Sequence, residues 1–133
     1  MRIHNSVPMI ATDKLEQAKA FYVSHFGFRT TFESEGHLCL RSPGEDGSEI
    51  MFSRPDGEHM PAFEGKGLTW CLEVKDVDAE HERLQSAGVP VVRPLQDNPW
   101  GDRSFVVVDP AGVPLWIFKC IKPTAEFEHC FKE

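Results

Sequence analysis

The sequence is short of positive charge. Its 14 Lys and Arg stand against 21 Asp and Glu, a formal net charge of −7, which argues against a nucleic-acid binder, whose phosphate contacts need a basic face. No nucleic-acid partner is expected, and the same imbalance weakly favours a cationic ligand. Also missing is any run of ~18 apolar residues, which predicts no membrane span and no membrane partner. The opening MRIHNSVPM has one Arg but no apolar h-region after it, which predicts no secretory leader and a cytoplasmic location. Cys39, Cys71, Cys120 and Cys130 show no CxxC or CxH spacing and read as free thiols of a reducing compartment. There is no Gly-x-Ser-x-Gly elbow for nucleophilic catalysis and no Gly-x-x-x-x-Gly-Lys loop for phosphate; the loop SPGEDGS is acidic and repels phosphate.

What is present is an ordinary globular composition, 41% hydrophobic and 26% charged over 133 residues, enough for one domain with a real core. Residues 7–11 read as an apolar strand. Thr12 or Asp13 then caps a helix whose Leu15, Ala18, Phe21 and Tyr22 recur at helical spacing before Gly27. Turn signals next separate three strands at 28–32, 37–41 and 49–53. After a Pro/Gly-rich stretch at 55–66 the order repeats: a strand at 68–74, a helix at 77–87 stopped by Gly88, and strands at 91–93, 103–108 and 113–120. The expected architecture is α+β, a single domain of two βαβββ modules, about 5–54 and 67–120, joined by a linker and followed by a polar tail at 121–133. Each module covers one sheet face with its helix and leaves the other free to curve, and two such faces would enclose a pocket.

Three stretches, TDKLEQAKAFYVSHFGF, LEVKDVDAEHERLQSAGVPVV and NPWGDRSFVVVDPAGVPLWIF, carry a family resemblance in their order and spacing. Together they resemble the vicinal oxygen chelate superfamily of glyoxalases, extradiol dioxygenases and bleomycin-resistance proteins, with the last phrase most similar to the bleomycin-resistance branch. The resemblance implies paired βαβββ modules forming a cupped mixed sheet, usually in a homodimer, with ligands inside the cup. In the family's metal enzymes the first and last strand of each module each supply one ligand. Those positions fall here on Ser6, or Val7 if the register shifts by one, on Met51, on Thr69 and on Trp116. None is the His or Glu those enzymes use, so the expectation is no metal and no cofactor.

Period-two alternation sets the register independently. Thr69, Cys71 and Glu73 face the cup while Trp70, Leu72 and Val74 pack on the helix; Glu49, Met51 and Ser53 oppose Ile50 and Phe52; Trp116, Phe118 and Cys120 oppose Leu115 and Ile117. From the first and seventh strands the cup is expected to receive Ser6, Pro8, Ile10, Arg103, Phe105 and Val107. Such a pocket suits a small aromatic or cationic organic ligand.

Each candidate has a plainer reading beside it. Trp116 and Phe118 are either stacking walls or core, and Trp100 in its Pro/Gly-rich loop is either pocket rim or dimer contact. Glu49 and Glu73 are either an acid and base pair or solvated surface carboxylates. Cys71 and Cys120 share a face on which a soft metal could be held, whereas His4, His25, His37, His59, His81 and His129 are too scattered to rebuild a metal site. The reading that results is a metal-independent, homodimeric binding protein that sequesters an antibiotic or toxin, with no catalytic residue required. The alternative is a glyoxalase-type lyase or isomerase using an unrecognised metal or a carboxylate base, and a third is a structural module whose cup is filled by its own side chains.

Overall fold

Two βαβββ units follow one another along the chain. The computed structural model describes residues 1–132, and they divide into a first unit of residues 1–66 with 110–112 and a second that takes 67–109 and resumes at Val113.

In the first unit, β1 (Met9–Ala11), β2 (Arg29–Glu33), β3 (His37–Arg41) and β4 (Glu49–Ser53) form a sheet in the order β1-β4-β3-β2, with β1 parallel to β4 and the other pairs antiparallel. Helix α1 (Leu15–Phe26) buries Leu15, Ala18 and Tyr22, one stripe at helical spacing. The Tyr22 ring packs 5.7 Å from Phe52 of β4, over a core that includes Leu38, Leu40 and Ile50. Gly27, at φ 68°, takes the left-handed turn that ends the helix and donates its N–H to the Tyr22 carbonyl. At the other end the residue flanking the helix is Lys14, without a side-chain cap, while Thr12 Oγ1 accepts the Lys14 N–H at 3.1 Å. The Pro/Gly-rich stretch folds back on the same unit, where the Phe63 N–H donates to the Ala11 carbonyl at 2.9 Å.

The second unit repeats the plan. Its strands β5 (Trp70–Glu73), β6 (Arg93–Asn98), β7 (Asp102–Val108) and β8 (Pro114–Cys120) run in the order β5-β8-β7-β6, with β5 parallel to β8. Helix α2 (Val77–Ser86) is capped by Asp76, whose carboxylate accepts the Ala79 N–H at 3.0 Å, and it lies against β7 and β8. Val77 and Leu84 are its buried residues.

Two sequence expectations change here. The sixth strand lies at Arg93–Asn98 rather than at 91–93. Its letters, RPLQDN, lack apolar alternation and include Pro94, which an edge strand with a register irregularity tolerates. The tail forms a one-turn helix α3 (Ala125–Glu128), tied to the Trp100 turn by Thr124 N–H to the Pro99 carbonyl and Ile121 N–H to the Gly101 carbonyl, both 2.9 Å. Gly101 is obligatory there: its φ is 113°, and a Cβ would sit 3.2 Å from the Ile121 carbonyl oxygen.

The second change is one of strand face. Ile10 of β1 is buried and paired with Phe52, so it belongs to the helix-covered core, and the residue beside Met51 is Met9. Val7, two residues before Met9, has the parity of that face, and Ser6 is an exposed residue ahead of the strand. Likewise Arg103, Phe105 and Val107 pair with Lys119, Ile117 and Leu115, on the side covered by α2. Phe105 is fully buried with His81 of α2 at 5.0 Å, and Arg103 is held by Asp78 of α2 at 2.8 Å and by Asp97 at 3.0 Å. The reason is common to both strands. VPMIA and SFVVV are apolar at both parities, so alternation alone gives no preference for one face.

Candidate functional site

Strand pairing arranges the face of the second sheet turned away from α2 into three rows. Cys71, Trp116, Val106 and Arg93 lie side by side, then Glu73, Phe118, Ser104 and Gln96, then Cys120, Asp102 and Asn98. Of the residues singled out in the sequence, Cys71, Glu73, Trp116 and Phe118 meet on this face, and Thr69 is exposed two residues ahead of Cys71. Trp100 stands 43% exposed at the turn between β6 and β7, its ring 6.4 Å from that of Trp116 and tilted by 38°.

The remaining members went unrecognised in the sequence: Gln96 and Asn98 sit on β6, whose polar letters resembled a loop, and Asp102 and Ser104 on β7, whose facing alternation did not disclose. Asn98, Asp102 and Ser104 are buried and joined by hydrogen bonds: Asn98 Nδ2 donates to Asp102 Oδ1 at 2.6 Å and to Ser104 Oγ at 2.9 Å. The other Asp102 oxygen accepts the indole N–H of Trp116 at 2.7 Å. On the acceptor side of the Asn98 amide, Oδ1 receives Arg93 Nη2 at 2.9 Å and Gln96 Nε2 at 3.1 Å. The Arg93 guanidinium lies over the Trp116 ring, 4.5 Å from its centroid. Trp116 is thus fixed twice, by its N–H and across its face, as a positioned aromatic wall rather than a mobile one.

Next to it, the Cys120 thiol approaches Glu73 Oε2 at 3.7 Å. Partial burial, then the Glu73 charge, holds that thiol above its ordinary pKa, which makes it a poor nucleophile.

The corresponding face of the first sheet carries Met9, Met51, Cys39 and Phe32 in one row and Glu49, Arg41 and Arg29 in the next. Glu49 is ion-paired with Arg41, which engages its carboxylate and removes the charge expected to attract a cation. Burial, then Glu49, raises the Cys39 pKa. A depression of about 300 Å³ elsewhere in this unit, between the start of α1 and the turn from β2 to β3, is lined by Asp13, Glu16, Glu33, Glu35, His37 and Arg54 among others, and by none of the expected site residues.

The residues that the resemblance assigns to the four metal positions, Ser6 or Val7, Met51, Thr69 and Trp116, offer no imidazole or carboxylate, and that donor set does not fit a divalent ion. Among the described residues no three His, Cys, Asp or Glu side chains are grouped to hold one.

Known proteins resemble this chain in sequence or in fold. An uncharacterized protein of Mycobacterium bovis, Mb0911c, is 50% identical over 48 residues, a stretch that spans 36% of this chain and 32% of that protein. The chain thus matches about a third of the length of that curated relative. The structure of TnmS3, an antibiotic-binding protein from Streptomyces, superposes with a TM-score of 0.72 at 26% identity, covering 90% of this chain and 99% of that one. A glyoxalase/bleomycin resistance protein/dioxygenase from Nocardioides matches in fold with a TM-score of 0.76 at 20% identity, over 92% of this chain and 86% of that one. The model of the Glyoxalase/Bleomycin resistance protein/Dioxygenase superfamily matches residues 5–117, and with the paired βαβββ units it establishes that the chain belongs to that superfamily.

Proposed function

We propose that this protein binds a small aromatic compound, an antibiotic or comparable toxin, and acts by sequestering it without chemical change. The observation that carries the reading is Trp116, held by Asp102 and Arg93 with Trp100 alongside on the face turned away from α2. Sequestration requires only contacts organised before the ligand arrives, and a preset indole meets that requirement. The two carboxylates considered for catalysis support a reaction poorly: Glu49 is engaged by Arg41, and Glu73 faces a thiol. The likeness to TnmS3 at 26% identity supports the same reading. Homodimer assembly and a cytoplasmic location belong to it as well, and sedimentation velocity tests the first.

The experiment is a thermal-shift screen of the purified protein against planar aromatic antibiotics. Saturation at ~100 times the dissociation constant stabilises by ~2.7 kcal/mol, a shift readily seen. A screen without any stabilising compound, or a compound converted to product during incubation, contradicts sequestration.

A further inference from the structure

The Arg93 guanidinium is a half-buried cation whose bonding partners are all neutral. One N–H of each terminal nitrogen is engaged, by Ser104 Oγ at 3.4 Å and by Asn98 Oδ1 at 2.9 Å, and its central carbon lies over the Trp116 ring, 4.5 Å from the centroid. Among the described residues no carboxylate pairs with it. The nearby carboxylate that could have done so, Asp102, is occupied by the Asn98 amide and the Trp116 N–H. Asn98 stands between the two charges with its amide oriented by both: its oxygen toward Arg93 and its nitrogen toward Asp102. The negative charge is therefore capped by neutral donors and the positive charge by neutral acceptors. Such an arrangement leaves guanidinium N–H groups for a guest and holds the guanidinium in one orientation.

Resting on the binding reading above, we infer that Arg93 determines ligand specificity, and that the site takes planar aromatic compounds bearing an anionic oxygen, a carboxylate or an ionised phenol, in preference to cationic ones. An aromatic ring laid against Trp116 and Trp100 brings a ring substituent within reach of the guanidinium. There an anion forms charge-assisted hydrogen bonds, whereas a cation meets like charge in a partly desolvated place. The asymmetry reverses the preference that the net charge of −7 taken alone would suggest. Local charge outweighs it because exposed charges more than ~10 Å away are largely screened at ordinary ionic strength.

The test uses three probes of one shape on the full chain: 2-naphthoate, 2-naphthamide and 2-naphthylmethylammonium, titrated by isothermal calorimetry and by quenching of tryptophan fluorescence. The expected result is that naphthoate binds at least ten times more tightly than the ammonium probe, with the amide between them. Arg93→Gln should abolish the preference, bringing the affinity ratio of naphthoate to amide down to about one, and Arg93→Lys should recover only part of it. The comparison of probes on the unaltered protein stands even if Arg93→Gln is poorly folded. Binding of the amide or the ammonium probe as tight as that of naphthoate overturns the specificity assignment and leaves the binding reading intact. Failure of all three to bind overturns both.

Discussion

The indole N–H of Trp116 donates to Asp102 at 2.7 Å, and the two residues stand on neighbouring strands, β8 and β7, of one sheet. Asp102 is buried, so the aromatic wall and the carboxylate that fixes it are one unit of structure.

Asp102→Ala should consequently cost stability as well as binding. It leaves the Trp116 N–H without its acceptor and the Asn98 amide with Ser104 Oγ alone, a loss of about 2 kcal/mol. Urea unfolding followed by circular dichroism measures it, and a change below about 0.5 kcal/mol would mean the network is slack.

Phe105 and Phe118 should separate fold from site. Phe105→Ala opens a cavity beneath α2, against His81, and is expected to cost about 3–5 kcal/mol. Phe118→Ala removes a half-buried ring from the face turned away from α2, with a smaller stability loss and weakened ligand binding. The reverse ranking in chemical denaturation would put the two faces the wrong way round.

Arg103 offers a pH test. The Arg103 guanidinium holds the Asp78 carboxyl below its ordinary value of 3.8. A lowered folded-state pKa gives stability that is present above the unfolded value and lost as pH falls through the folded one. The stability advantage of wild type over Arg103→Gln should therefore be full near neutrality, begin to shrink near pH 3.8, and vanish below the depressed Asp78 value. Melting temperatures across that window check the sign, and a gap that widens on acidification contradicts it. Since Arg103 lies on the side covered by α2, the same variant should leave ligand affinity unchanged.

Much of this was legible in the letters, and the gaps follow from identifiable residues. Strands β4, β5 and β8 disclosed their faces because Ile50 and Phe52, Leu72, and Leu115 and Ile117 alternate with polar or less apolar neighbours. In β7 the run SFVVV is buried at both parities, Ser104 and Val106 on one side and Phe105 and Val107 on the other, so periodicity held no information. Half of the site was hidden for another reason. Arg93, Gln96 and Asn98 owe their place to an edge strand containing Pro94, and their importance comes from hydrogen bonds that only the folded register creates.

Glu73 should govern the reactivity of Cys120. With the neighbouring carboxylate neutralised in Glu73→Gln, the thiol pKa falls and alkylation by iodoacetamide at pH 8 should quicken at Cys120 alone, read by peptide mass spectrometry. Equal rates in both proteins would show that the Glu73 contact has no electrostatic consequence.

The most direct test of the account is calorimetric titration of one stabilising aromatic compound into wild-type protein and into Trp116→Ala, with folding of the variant verified by circular dichroism. A stacked aromatic contributes ~0.5–1.5 kcal/mol beyond the area it buries, and removing the whole indole should weaken binding at least tenfold. An affinity that survives Trp116→Ala unchanged would place the ligand elsewhere and contradict the site.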